Sequence, residues 1–536
     1  MKKLHPFYYG SFIMLGFILF FESVSAKVSL PAIIGENMVL QRGMKVPMWG
    51  WADPGEKINV IFNGKKFATT TAQNGKWFLK LESYGKGGPY EMQISSVQNS
   101  IILKNILIGD VWLASGQSNM EFGIQKEKSG AAEIANAQDT MIRLFYVPMA
   151  FSINPRENID ASAASRNGKW IVCSPEAMAD PKFAWHGFSA TGYYFSKEIR
   201  KHQNTPVGMI ASYKGGTPAQ AWMSEQALAM APAFETYVSD HQKLLTNLEQ
   251  ARQEYPKKLA EYREKIKNLN PLSSAATPPA PQAPEGGFSA PSSLFNAMIN
   301  PIISYGIKGV IWYQGESNGD KLPQAVEYRQ LFPRLIADWR KHWFQGNFPF
   351  LFVQLANYKK APGKPAEGIW AWVREAQLKT LAVPATGMAV ITDIGDSADI
   401  HPTNKKDVGI RLSLAARKIA YGEQLVYSGP IFKQMKIKGN IIELSFDHTG
   451  TGLIGYRPGT TQTANELRGF ALATADGKFV WAEAKIERNK VLVTAKGIEK
   501  PVAVRYNWAD NPQGTLYNME GLPASPFRTD DFKPEQ

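Results

Sequence analysis

Apolar and polar positions alternate along short segments at the start of the chain. Between residues 27 and 105, the segments 45–50 and 57–62 alternate in this way, and Asn63 and Gly64 follow the second of them. Alternation followed by Asn-Gly is typical of two strands joined by a tight turn. Several such segments in succession predict a small β-sandwich domain over residues 27–105, with no helix and no catalytic group.

The pattern changes between residues 106 and 425, where continuous apolar runs alternate with helical periodicity. The apolar runs cover residues 106–114, 205–213, 309–313, 350–355 and 387–392. Such runs are typical of buried parallel strands, and their alternation with helices indicates helices on both faces of the sheet. The sequence therefore predicts an α/β domain over residues 106–425.

Residues 237–287 interrupt this domain. The charged segment 237–269, with spaced Leu and Tyr, predicts a helical arm that is broken near Pro256. Residues 270–287 are rich in Pro, Ala and Ser and predict an extended or flexible linker. We expect an insertion on the surface. It could be a substrate lid, a dimer contact or a segment without a functional role.

Short alternating segments return after residue 425. Residues 434–438 and 441–446 flank Gly439 and Asn440, which predicts a second tight hairpin. We therefore expect a C-terminal β-domain over residues 426–536. It would pack against the α/β domain, and it could also help to close an active site or bind glycan.

The first 26 residues have the organisation of a secretory signal peptide. Lys2 and Lys3 precede an apolar run over residues 7–21, and residues 24–26 are small, as a cleavage site requires. The apolar run is shorter than a membrane span. We predict cleavage after Ala26 and a secreted or periplasmic protein without membrane contact; an uncleaved anchor is the alternative.

Composition excludes several classes of function. The chain has 536 residues, a formal charge of +13 at pH 7 and one cysteine, Cys173. That charge is compatible with attraction of acidic glycans or with a solvated surface, but no basic run interleaved with aromatic residues indicates nucleic-acid binding. A single cysteine excludes an intrachain disulfide, and no Cys or His cluster has the spacing of metal ligands. We predict no metal, no other cofactor and no nucleic-acid partner.

Ser118 is the first candidate for chemistry, because it follows the apolar run 106–114 in a turn. Such a turn lies at the carboxyl edge of a parallel sheet, where α/β proteins place reactive side chains. The turn differs from the Gly-x-Ser-x-Gly elbow of α/β-hydrolases, since Met120 occupies the position of the second glycine. An ordinary strand-ending turn is the alternative interpretation, because Ser, Asn and Gly are common in turns.

Further turns at this edge supply the other groups that acyl transfer requires. A nucleophile needs a base, and the base needs a carboxylate that orients it. Ser118 would be the nucleophile, His401 the base and Asp399 the carboxylate. An extended i, i+2 pair faces one side of the backbone, which would bring Asp399 next to His401.

Donors for the oxyanion can come from the same turns. The backbone N–H groups of Ser118 and Gly216 are two candidates. The side chain of Gln314 or that of Asn318 would be the third donor. Each donor of this kind stabilises the transition state by about 3 to 4 kcal/mol.

The sequence blocks around these residues resemble the sialate O-acetylesterase family, within the SGNH-hydrolase-like esterases. The blocks are Gly116-Gln117-Ser118-Asn119-Met120, Gly215-Gly216-Thr217-Pro218-Ala219, Trp312-Tyr313-Gln314-Gly315-Glu316-Ser317-Asn318 and Asp399-Ile400-His401-Pro402, with Tyr506-Asn507-Trp508-Ala509-Asp510-Asn511-Pro512 further on. The resemblance covers nearly the whole chain after residue 26 except the insertion. It implies a flavodoxin-like, three-layer α/β/α (SGNH) esterase domain with flanking all-β domains, and metal-free removal of acetyl groups from sialic acids.

The carboxylate partner of His401 stays open between several residues. The wider superfamily has the acid three residues before the histidine, where this chain has Ala398. The closer sialate-type pattern is Asp-Ile-His-Pro, as here, so that the resemblance favours Asp399. Asp396 and Glu316 are alternatives, and a Ser–His dyad without an acid is a further one.

Three functions are compatible with these features. The first is a secreted serine esterase that removes O-acetyl groups from sialic acids. The second is the same reaction on an acetylated plant polysaccharide such as xylan or pectin. The third is an inactive carbohydrate-binding protein, against which the presence of both Ser118 and His401 argues.

Overall fold

The computed structural model describes residues 27–159, 168–180, 185–267, 278, 280–457 and 467–533. The predicted signal peptide, and residues 268–277 and 279 around the predicted linker, lie outside the described residues. Among the residues that are described, no helix is both long and apolar enough to cross a bilayer.

Strands alone form the N-terminal part of the structure. They are β1 (Val39–Gln41), β2 (Lys45–Trp51), β3 (Lys57–Phe62), β4 (Lys65–Thr70), β5 (Lys76–Ser83), β6 (Gly87–Ser95) and β7 (Ser100–Gly116). Strands β3 and β4 form the hairpin predicted at Asn63 and Gly64, whose φ angles of 48° and 73° fit a tight turn. As predicted, the described residues 27–105 contain no helix.

A predominantly parallel sheet is the centre of the α/β region. Its further strands are β8 (Asp139–Tyr146), β9 (Trp170–Cys173), β10 (Val207–Tyr213), β11 (Gly309–Tyr313), β12 (Phe350–Val353) and β13 (Thr386–Ala389). Their order across the sheet is β9-β8-β10-β7-β11-β12-β13, and all neighbours are parallel except β8 and β9. The apolar runs of the sequence are therefore the parallel strands of this sheet, as predicted.

Strand β7 joins the two regions. Its first half pairs antiparallel with β6, and its second half, from Asp110 to Gly116, lies between β10 and β11. The boundary predicted between residues 105 and 106 therefore falls inside one continuous strand. The apolar run begins at Ile106, whereas the pairing begins at Ser100, and the mixed polarity of residues 100–105 gave no sign of this continuity.

Helices cover both faces of the sheet. The α-helices are α1 (Ser118–Glu121), α2 (Gly130–Ala135), α3 (Pro175–Met178), α4 (Ala190–Gln203), α5 (Glu225–Ala229), α6 (Glu235–Thr246), α7 (Leu248–Lys267), α8 (Leu322–Trp343), α9 (Ile369–Thr380) and α10 (Lys405–Ile419). Helices α4 and α10 share one apolar core with Trp112 and Ala114 of β7, and α8 and α9 share the other with Val111 and Leu113. Successive residues of a strand point to opposite faces, so both faces of β7 are buried.

Helices α6 and α7 form most of the insertion, and α7 has no buried residue. They are separated at Asn247. The predicted break near Pro256 is wrong, because Pro256 lies inside α7. A proline costs a helix interior about 3 kcal/mol. Strong helix formers on both sides, together with the ion pair between Glu254 and Lys258 at 2.7 Å, offset part of that cost.

The C-terminal region consists of strands again. They are β14 (Ile431–Lys438), β15 (Ile441–Asp447), β16 (Leu453–Ile454), β17 (Phe470–Ala473), β18 (Phe479–Trp481), β19 (Glu483–Glu487), β20 (Lys490–Thr494), β21 (Ala503–Tyr506), β22 (Tyr517–Asn518) and β23 (Phe527–Arg528). Strands β14 and β15 form the hairpin predicted at Gly439 and Asn440. The sheets β14-β15-β20-β19 and β18-β17-β21-β23 share an apolar core of their own.

Arg374 of α9 attaches the C-terminal region to the α/β region. Its fully buried guanidinium donates to four backbone carbonyls, those of Leu355, Ala356, Ala509 and Asp510. The first two belong to the loop after β12, and the last two belong to the stretch 506–512. Because a buried carbonyl without a donor costs about 1 to 3 kcal/mol, this residue fixes the stretch 506–512 against the carboxyl edge of the sheet.

Candidate active site

The end of β7 places Ser118 at the carboxyl edge of the sheet. The φ of Gly116 is 134°, and a Cβ at this position would lie 2.2 Å from the carbonyl oxygen of Tyr313. Glycine is therefore required where β7 ends beside β11. The N–H of Gln117 donates to the same carbonyl over 3.0 Å. Helix α1 then begins at Ser118, which is half-buried.

Ser118, His401 and Asp399 come together as predicted. The Ser118 Oγ lies 2.9 Å from His401 Nε2, and His401 Nδ1 lies 3.1 Å from Asp399 Oδ1. The same carboxylate oxygen accepts the backbone N–H of His401 over 2.8 Å. With the proton on Nδ1, the Nε2 atom is free to accept the Ser118 hydroxyl proton. The His401 side chain is 21 % exposed and that of Asp399 is 63 % exposed.

Asp396 and Glu316, the alternative carboxylate partners of His401, form hydrogen bonds with other residues. Asp396 Oδ1 accepts the backbone N–H groups of Ala398 at 2.8 Å and of Asp399 at 3.4 Å, which shapes the turn before His401. Glu316 is buried and accepts a hydrogen bond from Asn119. Within the described residues, no three His, Cys, Asp or Glu side chains converge as a metal site would require.

Asn119 is the centre of a buried hydrogen-bond network beside Ser118. Its Nδ2 donates to Glu316 Oε1 over 2.6 Å and to the carbonyl of Ile400 over 3.0 Å. Its Oδ1 accepts Lys405 Nζ over 2.5 Å. Asn119, Glu316 and Lys405 are 2 %, 3 % and 0 % exposed. The network links the ends of β7 and β11 with the residue before His401 and with the start of α10.

The residues on either side of Ser118 and Asn119 fix the neighbouring turns. Gln117 Oε1 accepts the backbone N–H groups of Gly315 at 3.4 Å and of Ser317 at 3.2 Å. Glu121 Oε2 accepts the N–H of Gly215 over 2.6 Å. A Cβ on Gly215 would lie 3.3 Å from the Cβ of Ser118, so this turn passes close to the serine.

Burial controls the ionisation of the network. It lowers the pKa of Lys405 to about 7, which the carboxylate of Glu316 opposes. Burial also raises the pKa of Glu316. Lys405 Nζ lies 4.6 Å from the ring centroid of Phe122 and 5.3 Å from that of Tyr313. The aromatic faces therefore replace part of the water around the ammonium group.

The pKa of His401 is lower than its ordinary value. Burial is the main cause, and the charge of Lys405 is the second. Asp399 raises the pKa of the imidazole, and Lys126 lowers it. The imidazole is therefore neutral at pH 7, which is the form that accepts a proton from a serine hydroxyl.

The predicted oxyanion donors differ in their availability. Among the described residues, no hydrogen-bond acceptor is found for the backbone N–H groups of Ser118 and Gly216. The fully buried Gln314 side chain donates both N–H groups internally, to a backbone carbonyl at 3.3 Å and to Asn318 Oδ1 at 2.8 Å. Asn318 donates one of its own N–H groups to Gln220 over 3.1 Å. Of the two buried side chains, Asn318 is the one that keeps an N–H group without an acceptor among the described residues.

Trp185 borders the site beside His401. Its ring meets the imidazole edge-on, with centroids 4.6 Å apart, and meets Phe122 at 5.3 Å. Trp185 and His186 have positive φ angles of 52° and 71°, and Gly187 follows at 95°. A non-glycine residue in this conformation costs about 1 to 2 kcal/mol, so the surrounding contacts hold Trp185 against a backbone preference.

Sequence reasoning missed Trp185, Glu121 and Lys405. Lys405 follows His401 by four residues, but a lysine at the start of an amphipathic helix is normally exposed, so its burial has no signature in the sequence. Glu121 directly follows the block that ends at Met120, and this proximity to Ser118 is the one hint that was available. Trp185 lies outside every motif.

Comparisons with known proteins show which proteins this chain is similar to. Residues 285–419 match a family described as carbohydrate esterase, sialic acid-specific acetylesterase. The sialate O-acetylesterases of Mus musculus and Homo sapiens are each 27 % identical, over 94 % and 92 % of this chain and 96 % and 91 % of their own. The crystal structure of a carbohydrate acetylesterase from Xanthomonas citri aligns with a TM-score of 0.78 and 37 % identity, covering 94 % of this chain and 100 % of that chain.

The charges around His401 predict two opposite shifts in pH dependence. A base must be neutral, so kcat/KM should fall as the pH drops through the lowered pKa of His401. Asp399→Asn removes a charge that raises this pKa, and should move the acid limb of the profile to lower pH. Lys126→Met removes a charge that lowers it, and should move the acid limb to higher pH.

Profiles of kcat/KM for 4-nitrophenyl acetate measure both shifts. Lys126 is exposed, so its variant tests the charge without removing a buried group. A wild-type acid limb above the ordinary histidine value of 6.5, or shifts of the same sign in both variants, would contradict the assignment.

Proposed function

The chain belongs to the family of sialate O-acetylesterases and related carbohydrate acetylesterases, and from this premise we propose that it hydrolyses the O-acetyl esters of sialic acids. The proposal rests on the 2.9 Å contact between Ser118 Oγ and His401 Nε2 at the carboxyl edge of the sheet. This pair supplies a nucleophile and its base, which are the minimum that serine ester hydrolysis requires.

The reaction proceeds through an acetyl-enzyme. His401 Nε2 accepts the hydroxyl proton of Ser118 while Oγ bonds to the acetyl carbonyl carbon. The tetrahedral intermediate then collapses, the bond to the sugar oxygen breaks, and His401 donates its proton to that oxygen. Water attacks acetyl-Ser118 by the same route, with His401 again as base, and acetate leaves.

Asp399 and the oxyanion donors assist each step. Asp399 holds the proton on His401 Nδ1 and stabilises the imidazolium that forms. Its exposure to solvent screens this charge, so it contributes less than a buried carboxylate would. The N–H groups of Ser118 and Gly216, with the side chain of Asn318, would bind the oxyanion.

Two lysines near the site support an anionic sugar as substrate. Lys126 is exposed, and its Nζ lies 5.8 Å from the ring centroid of Trp185, which also contacts His401. Lys214 directly precedes Gly215, which approaches Ser118. Sialic acids carry a carboxylate in addition to their hydroxyl groups, and cations at the rim of a site attract such a substrate.

The strand order supports the finer fold that the family resemblance implies. Without β8 and β9, the order β10-β7-β11-β12-β13 is 2-1-3-4-5 in chain sequence. This is the order of flavodoxin-like folds, in which ligands bind where the order reverses. The strand order reverses between β7 and β11, and Ser118 directly follows the end of β7. This position suits the active site of an SGNH-type, three-layer esterase domain.

An acetylated polysaccharide is the second candidate substrate. The relative from Xanthomonas citri, which is 37 % identical, is described only as a carbohydrate acetylesterase. Asp399 and the residues before it are exposed, so a polymer chain could pass the site without burying its ends.

Acetate release separates these substrates. Wild-type enzyme should release acetate from O-acetylated N-acetylneuraminic acid, and Ser118→Ala should lose about 10⁴-fold or more of that activity. Acetylated xylan and 4-nitrophenyl acetate are assayed in parallel. Cleavage of xylan and the chromogenic ester without cleavage of the sialic acid would replace the first substrate by the second. A Ser118→Ala variant as active as the wild type would contradict the serine mechanism.

We further propose that the enzyme is secreted or periplasmic. The support is the charged start, apolar run and small residues within residues 1–26. The exported protein should begin at Lys27 on N-terminal sequencing. An exported protein that retains residues 1–26 would indicate an anchor instead.

A further inference from the structure

A cleft lies between the C-terminal strands and the loop after β12. Its volume is about 710 Å³, which is within the range of small-molecule sites. We call it the aromatic cleft and define it by Pro362, Leu467, Trp481, Trp508, Asn511 and Gln513. None of these residues has a part in the ester hydrolysis described above.

Trp481 is the exposed aromatic of the aromatic cleft. It ends the edge strand β18 and is 46 % exposed. Its Nε1 donates to the carbonyl of Gly363 over 3.2 Å, which fixes the ring. Trp481 also lines a second depression, of about 550 Å³. The Trp481 ring is fixed and exposed, so the apolar face of a sugar ring can stack on it.

Polar groups around Trp481 suit sugar hydroxyl groups. Arg468 and Glu483 line the aromatic cleft with opposite charges, and both are exposed. Gln513 is exposed as well and donates to Asn511 Oδ1 over 2.7 Å. The aromatic cleft therefore combines an aromatic surface, amide groups and balanced charge, which favours neutral sugar units over an anion.

A shallow depression adjoins the aromatic cleft and reaches Ser397, which lies four residues before His401 in the chain. It shares Asn511 and Gln513 with the aromatic cleft, and its lining includes Asn357 and Ser397. Asn357 Oδ1 accepts the N–H of Gly395 over 2.7 Å, which ties the loop after β12 to the loop that carries His401. Both loops follow parallel strands and so leave the sheet at the edge where Ser118 lies.

We propose that the aromatic cleft is a subsite for the glycan chain that carries the acetylated sugar, and that it binds neutral sugar units by stacking on Trp481. The proposal rests on the proposed function, since it needs a carbohydrate ester as substrate. The chain would run from the acetylated unit at Ser118, past Ser397, to Trp481. Longer substrates would therefore bind better than the free acetylated sugar.

Kinetics on substrates of different length test the subsite. The substrates are 4-nitrophenyl acetate, O-acetylated N-acetylneuraminic acid, and the same acetylated sugar at the end of lacto-N-neotetraose. In Trp481→Ala, KM for the longest substrate should rise about three- to tenfold, as the loss of an aromatic contact predicts. The kcat/KM values for the two short substrates should stay at the wild-type level.

Phe78→Ala is the matched control. Phe78 is 49 % exposed, similar to Trp481, but lies on β5 in the N-terminal region. This variant should leave all three substrates unaffected. An unchanged KM for the longest substrate in Trp481→Ala would overturn the proposal, and so would an equal rise in Phe78→Ala.

Calorimetry with unacetylated oligosaccharides separates this proposal from the esterase proposal. Sialylated lacto-N-neotetraose and xylohexaose are titrated into wild type and Trp481→Ala. Binding of either one that weakens in the variant supports the subsite, even if no ester is cleaved, and which one binds identifies the type of chain. Equal binding to both proteins, or no binding to the wild type, overturns it.

Discussion

The three hydrogen bonds of the Asn119 side chain determine whether this site can work. Asn119 donates to Glu316 and to the carbonyl of Ile400, and accepts from Lys405. Because Asn119 follows Ser118 and Ile400 precedes His401, one amide sets the distance between nucleophile and base. Glu316 follows β11, whereas Ile400 and Lys405 both follow β13, so the geometry exists only when β7, β11 and β13 are assembled in one sheet.

The same network also adjusts the chemistry of the base. A buried ammonium group beside the imidazole is costly, and its lowered pKa reflects that cost. Burial is the main cause of the lowered pKa of His401, and the charge of Lys405 adds to it and opposes the effect of Asp399. The effect of the carboxylate that orients His401 is thus opposed by the effect of a buried cation. An exposed Asp399 and a buried Lys405 together suit a base that works near neutral pH.

The sequence predicted the positions of Ser118 and His401, but it did not predict the residues that surround and position them. The apolar runs with turns at their ends predicted the parallel strands. The blocks that resemble the esterase family predicted that Ser118 and His401 lie together at one edge of the sheet. Burial of Lys405 and the strained backbone at Trp185 could not be predicted, because both depend on contacts distant in the chain. The domain boundary predicted after residue 105 falls inside β7, because the pairing of a strand does not depend on its polarity alone.

Covalent capture of the nucleophile is the most direct test of the site. A fluorophosphonate that reacts with activated serines should label the wild-type protein at Ser118, located by peptide mass mapping. His401→Ala should lose the label while it keeps the melting temperature of the wild type, because the base and not the fold activates Ser118. A label on another serine, or unchanged labelling of Ser118 without His401, would contradict the Ser118–His401 mechanism.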